Sequence, residues 1–429
     1  MDELKNSSLI LKKIFNLSLR IAVGLALLVL AWSCATVPGL QEEAVTTFIR
    51  VPFVRVLLDE SQEGVLLSSE SSFAIECLKN KQQTVFYSSR PVRVENQNGL
   101  LTVYNPNRDV IQDGLNEVNI IPRGNNKHLK MGIETYRGIL KALPYGRNVR
   151  LINIVYMEDY LKGVVPPEIG ERSAEEIEAV KAQAVAARTY AMSHLKQYGE
   201  EPFDMKSSIV DQVYGGIVVE RKLVNKAVEA TSGYVVTWHD EFIEAYYHST
   251  CGGMTDDIAE VWDRKQLPYL KPVTDDSACA WSKYYEWREV FNEEQLRSRI
   301  EQYLSSERGR EIKIARITDV FTTGRTAGGR VQQLTVQTAN DVYRFYTDRI
   351  RWVVKRASNP ELILPSSNFD VAVRRNADSV VTQVVFNGRG YGHGIGMCQC
   401  GAIGLARKGW TFEMILKHYY TDTEVKKLY

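Results

Sequence analysis

The chain has 429 residues, long for one compact core, so two or more lobes are expected, and its 44% hydrophobic content is enough to fill them. Its 53 basic and 52 acidic side chains leave a formal charge of +1. With neither a basic excess nor a basic cluster, a nucleic-acid binder falls away as a class, and no nucleic-acid partner is expected.

At the N-terminus, Lys5, Lys12, Lys13 and Arg20 precede an apolar run from Ile21 to Trp32 that ends in Ser33-Cys34-Ala35. This is a signal-peptide arrangement. The run is shorter than the roughly 20 apolar residues that cross a bilayer, which favours export over a permanent span. Cys34 after Ala31-Trp32-Ser33 resembles a bacterial lipobox, with Trp32 and the absence of Leu at the third position before Cys34 as departures. A lipid anchor and an uncleaved membrane anchor both stand as readings of residues 1–34. In either case the bulk of the chain faces the periplasm or cell-wall compartment, tied to the membrane by its N-terminus.

Residues 35–130 read as a β-rich region, with alternating apolar positions at 46–60, and the alternation returns at 131–157. From Tyr160 to Tyr190 the pattern changes. Pro166 and Pro167 restrict the backbone ahead of Glu168 and predict a stiff turn. Ser173 and Glu176 form a capping box that predicts a helix from about Ala174, with Glu168 outside it. Ala179, Ala182, Ala184, Ala186, Ala187 and Ala191 give that helix little bulk, so it can pack closely. Lys181 and Arg188 are two turns apart and fall on one stripe, predicted to face one groove. Glu171, Glu175, Glu176 and Glu178 complement the helix dipole. Glu168 lies outside the periodic pattern and is the candidate functional carboxylate.

Further along, 292–307 and 412–420 read as helices and 330–345 as strand. The run Gly388-Arg-Gly-Tyr-Gly-His-Gly-Ile-Gly lies near the C-terminus without the strand–turn–helix and later acid of a dinucleotide site, so its glycines are read as positions of positive φ and close backbone approach in a cleft wall. His393 within it is either a substrate or orienting residue or a satisfied structural histidine. No repeat or low-complexity segment is evident, and strands with local helices but no regular βαβ alternation predict an α+β fold.

The blocks GVVPPE and EAVKAQAVAARTYA, then DQVYGG (Asp211 to Gly216), EATSGYVV (Glu229 to Val236), YYHSTCGGMT (Tyr246 to Thr255), PYLKPV (ending at Val273) and GRGYGHGIGMCQCGA (Gly388 to Ala402) resemble the stage II sporulation protein D family, which includes the amidase-enhancer proteins. They appear in family order. The resemblance is strongest over 131–429, with 286–379 weaker and read as an inserted lobe. It implies a multi-lobed α+β domain with a cleft, and a lytic transglycosylase acting on peptidoglycan strands stripped of stem peptides. The catalytic acid of the family falls on Glu168, and its helix lysine and arginine on Lys181 and Arg188. Asp211, Gln212 and Tyr214 join the list of substrate-binding candidates, with Asp211 also read as a loop-holding residue or as the second carboxylate of a hydrolase.

The residues fit such chemistry. Glycosidic cleavage by a hydrolase uses two carboxylates, and one obvious candidate stands here. A lytic transglycosylase needs only one, because the muramic acid C6 hydroxyl attacks its own anomeric carbon and the same Glu gives and then retrieves a proton. No cofactor is needed for this. The opposing class is a non-catalytic glycan-binding protein that stimulates an amidase partner.

Of the six cysteines, five remain besides Cys34. Cys77 has no evident partner. Cys251 and Cys279 could form a disulfide in an exported chain, while His248-x-x-Cys251 with Cys279 could supply three ligands of a structural zinc site, with another His or Cys completing the tetrahedron. Cys398 and Cys400 lie two apart, an awkward spacing for a mutual disulfide on a strand.

Overall fold

The computed structural model of the protein describes residues 51–124, 127–208 and 210–429. The signal or anchor reading of residues 1–34, Cys34 included, lies outside the described residues. Among the described residues, no helix is long and apolar enough to cross a membrane.

Twelve strands open the described chain: β1 Phe53–Asp59, β2 Gly64–Ser68, β3 Phe73–Lys79, β4 Gln82–Ser88, β5 Val92–Gln97, β6 Leu100–Tyr104, β7 Val110–Leu115, β8 Glu117–Pro122, β9 Leu129–Met131, β10 Glu134–Tyr136, β11 Ile139–Tyr145 and β12 Asn148–Tyr156, and β13 Met205–Lys206 joins them from further along the chain. They form a seven-stranded sheet in the order β13-β1-β12-β11-β8-β3-β4 and a six-stranded sheet in the order β10-β9-β2-β5-β6-β7. The alternation seen in the sequence is the physical cause, since Val54 and Val56 of β1 bury one face while Arg55 between them reaches Asp204. Because β1 and β8 pair through β11 and β12, residues on either side of position 130 share one sheet and one apolar core. Cys77 is buried within β3 as a free thiol, and burial pushes its pKa up to about 11.

The chain leaves β12 directly into helix α1, Met157–Ile169. Here the expected stiff turn is corrected: Pro166, Pro167 and Glu168 all lie in the last turns of α1. Proline's fixed φ suits a helix, and its cost is the lost N–H bond. The carbonyl of Gly163, four residues before Pro167, instead accepts the N–H of Gly215 at 3.1 Å. Gly170, at φ 75°, ends the helix. Ser173 and Glu176 make the expected capping box, which opens a 3-10 turn at Ala174–Glu176 and then α2, Ile177–Ser193. The alanines of α2 are buried, and it packs against α1, α3 (Lys222–Ala230), and the C-terminal helices.

Beyond α4, Ile258–Val261, a second apolar core forms around Phe291, Ile300, Leu334, Val353, Phe369 and Phe386. It is enclosed by α5 (Glu293–Arg308), α6 (Arg349–Val354) and two three-stranded sheets drawn from residues 286–389. The chain then returns to the first core through Met397–Cys398, α7 (Gln399–Arg407) and α8 (Phe412–Tyr419). Tyr247–His248 pairs in parallel with Met397–Cys398, and Thr250 bridges Tyr391. Two blocks more than a hundred residues apart in sequence therefore lie side by side. The glycine run behaves as expected: Gly390, Gly392, Gly394 and Gly396 all have positive φ, and a side chain at Gly396 would collide with the Tyr246 carbonyl. Segregated sheets and helices make the fold α+β.

Candidate functional site

Glu168 opens onto a cavity of about 380 Å³ walled by three segments distant in sequence. Ile169 and Arg172 follow it from the end of α1. Ser249 and the stretch Trp281–Tyr284 form a second wall, and Gln399, Cys400 and Ile403 of α7 a third. Among the described residues lining this cavity, Glu168 is the only carboxylate. Burial raises its pKa, and this outweighs the opposing hydrogen bonds from the Val213 N–H, at 3.3 Å, and the Gln399 side chain. A carboxyl whose protonated form is favoured by burial in a cleft has the disposition of a general acid.

The walls carry an exposed aromatic ring with cations beside it. Trp281 is 43% exposed, donates its indole N–H to the Cys400 carbonyl at 3.1 Å, and has the Arg407 guanidinium 4.3 Å from its ring centre. Arg407 and Arg172 both pair with Glu176, at 2.5 and 3.9 Å. The capping residue thus also fixes the cations beside the tryptophan. Tyr284 packs on Tyr391 with ring centres 4.5 Å apart. A larger cavity of about 910 Å³ lies between Gly252–Met254 and the second core, but its acids Glu286 and Asp370 are exposed and paired with Arg389 and Arg325. The perturbed carboxyl lines the smaller cavity.

The expected shared groove of Lys181 and Arg188 is corrected. The stripe exists, but both cations are engaged by carboxylates of the protein and neither residue lines the Glu168 cavity. Arg188 is fully buried and holds Glu158 in a two-point ion pair, at 2.8 and 2.6 Å, while donating to the Tyr234 carbonyl. Lys181 pairs with Glu178 one turn away. The DQVYGG block sits behind Glu168. Asp211 accepts from the Lys206 N–H, the Tyr198 hydroxyl and the Gln197 amide, which makes it a loop-holding residue with both oxygens occupied. Gln212 is buried between the Tyr160 and Tyr247 hydroxyls, and Tyr214 donates to Asn153. These three residues support the Val213 N–H that meets Glu168, and none of them lines the cavity. His393 is the satisfied structural histidine: one ring nitrogen accepts the Ile395 N–H and the other donates to the Tyr247 carbonyl, with burial lowering its pKa to about 4.

The proposed ligand trio is also corrected. His248 uses Nδ1 on the Ile395 carbonyl and is absent from the cysteine cluster. The group that does assemble is Cys251, Asp275, Cys279 and Cys398, all buried, with their ligand atoms within 4.8 Å of one another. Cys251 and Cys279 are free thiols with sulfurs 3.5 Å apart, so the cysteines are not joined in a disulfide. Burial pushes Asp275 up to about 6. Nothing in the sequence singled out Asp275, a carboxylate outside any ligand spacing, or Cys398, which stands 147 residues from Cys251. Arg172, Ser249, Trp281, Lys283, Tyr284 and Gln399 were likewise missed as cavity residues. Only Ser249 and Gln399 carried a signal, each lying inside a recognised block.

A family model described as stage II sporulation protein matches residues 145–238, and another, described as a domain of unknown function, matches residues 279–396. An uncharacterized protein of Brachyspira hyodysenteriae is 30% identical over 295 residues, covering 68% of this chain and 73% of that protein. The stage II sporulation protein D of Bacillus subtilis is 28% identical over 323 residues, covering 70% of this chain and 83% of that protein. The amidase enhancer of Bacillus subtilis is 29% identical over 293 residues, or 61% of this chain, but the match spans only 40% of that longer protein.

Proposed function

The chain belongs to the stage II sporulation protein D family, and on that premise we propose that it is a peptidoglycan lytic transglycosylase acting on glycan strands freed of their stem peptides. The observation that carries this reading is a lone carboxyl, Glu168, with a raised pKa in a cavity that holds no second acid among its described lining residues. Glu168 donates its proton to the glycosidic oxygen as the bond to the anomeric carbon breaks. The muramic acid C6 hydroxyl then closes on that carbon and returns its proton to Glu168, so that the enzyme ends as it began and the sugar ends as a 1,6-anhydro ring. Internal attack supplies the proximity that a hydrolase obtains from a positioned water. Removing a stem peptide leaves a lactyl carboxylate on each muramic acid, and Arg172 and Lys283 are the cations that line the cavity to receive it. Trp281 offers an exposed ring for a sugar face. The site of action in this reading is the cell-wall side of the membrane, with residues 1–34 as signal or anchor.

A second reading, a non-catalytic glycan-binding enhancer of an amidase, is supported by the name of the Bacillus subtilis relative. Mass analysis of amidase-treated strands incubated with the full chain separates the two. Ends in 1,6-anhydro-muramic acid, lighter by one water than hydrolytic ends, are expected, with intact peptide-bearing sacculi poorly cut. Reducing muramic acid ends would mean a hydrolase. Uncut strands together with faster amidase turnover would mean an enhancer.

A further inference from the structure

We infer that Cys251, Asp275, Cys279 and Cys398 form a structural zinc site that ties together the walls of the Glu168 cavity. Three sulfurs and one carboxylate oxygen converge in a fully buried spot with all four ligand atoms within 4.8 Å. A tetrahedral zinc ion with bonds of about 2.3 Å to sulfur and 2.0–2.2 Å to oxygen needs ligand atoms roughly 3.5–3.8 Å apart. The separations here, 3.5 Å between Cys251 and Cys279 and 3.0 Å from Cys251 to Asp275, need only a small expansion to admit it.

The surroundings favour a metal over a disulfide. Any disulfide would join two sulfurs and leave behind a buried thiol and a buried carboxylate. Asp275 has no ion pair among the described residues, its Oδ1 has no hydrogen-bond partner, and a buried carboxylate so placed calls for a cation. Backbone N–H groups already aim at the sulfurs: those of Cys251 and Gly401 at Cys398, and that of Gly253 at Cys251, at 3.1–3.3 Å. Such donors are the outer hydrogen bonds that steady metal-bound thiolates. Cys398 is also the N-cap of α7, its sulfur accepting the Gly401 N–H. A soft three-thiolate set with tetrahedral spacing selects zinc over calcium or magnesium.

The placement explains what the ion would do. Cys251 follows Ser249 by two residues, Cys279 precedes Trp281 by two, and Cys398 immediately precedes Gln399, so each cysteine anchors one cavity-lining segment. Zinc binding would release the remaining thiol protons to solvent and exchange them for bonds joining three separate stretches of chain.

The test uses the untagged full chain purified without added zinc or chelator. Elemental analysis should give about one zinc per chain, and thiol titration in denaturant with chelator should give the same count before and after reduction. Cobalt(II) exchanged into the site should produce the visible and near-ultraviolet bands of a tetrahedral thiolate complex. Cys398→Ser should lose the metal while Cys77→Ser keeps it. If Cys398→Ser does not fold, Asp275→Asn, which preserves shape, should hold zinc less tightly in competition with a chromophoric chelator. Failure to bind zinc or cobalt in the reduced protein, thiols that appear only after reduction, or undiminished zinc affinity in Asp275→Asn would each overturn the assignment.

Discussion

Replacing Arg188 by Ala should damage the fold far more than the chemistry. The guanidinium is completely buried, makes two bonds to Glu158 and one to the Tyr234 carbonyl, and so removes three charge-assisted contacts when truncated. Glu158 would remain largely buried, with only the Tyr429 hydroxyl and the Gly233 N–H to satisfy it. Removing one partner of a buried ion pair costs about 3–5 kcal/mol, and the two surviving donors argue for about 3 kcal/mol. Against a total stability of roughly 5–15 kcal/mol this is a large fraction. Arg188→Lys, which keeps charge but loses the planar fork, should fall between. The double variant Arg188→Met with Glu158→Gln should recover much of the loss, since it leaves no isolated charge. Urea unfolding followed by circular dichroism reads the midpoint, and strand cleavage assayed well below the melting range reads the chemistry. A wild-type midpoint in Arg188→Ala accompanied by abolished cleavage would refute this reasoning and return Arg188 to the substrate groove.

Glu168→Gln keeps the side chain's shape and its contact with the Val213 N–H, so the melting temperature should hold while cleavage of stripped strands falls by about 10²–10⁴-fold or more, as anhydro-end counting would record. Because burial raises the Glu168 pKa, the protonated acid persists to higher pH than in a free Glu, and kcat/KM should decline only as pH rises through that elevated value. A limb at the ordinary carboxylate pKa would contradict it. Trp281→Ala should weaken binding of stripped strands by more than about 1 kcal/mol, the range of aromatic anchors, because the ring is exposed in the free protein and supports little of the core. Strand affinity by co-sedimentation, compared with the thermal melt, decides whether binding and stability separate in this way.

Features whose causes lie within a few residues were legible in the sequence. The Ser173–Glu176 capping box, the alternation of β1 and β12, the helix from Glu293 and the positive-φ glycines between Gly390 and Gly396 all depend on local hydrogen bonding and steric freedom. Glu168 stood out in the sequence for a different reason, because a carboxyl between two prolines and Gly170 breaks the local pattern. Its conformation was not legible: two prolines argue for a turn until the Gly163 carbonyl finds the N–H of Gly215 from another part of the chain. Tertiary structure alone decided that Arg188 points into Glu158, that Asp275 replaces His248 beside the cysteines, and that Trp281 stands across from Glu168. Helical spacing tells which residues share a face, but burial and partner choice depend on what packs against that face. A site built where three distant segments meet has no local signature, and only closing the chain around a common core brings its parts together.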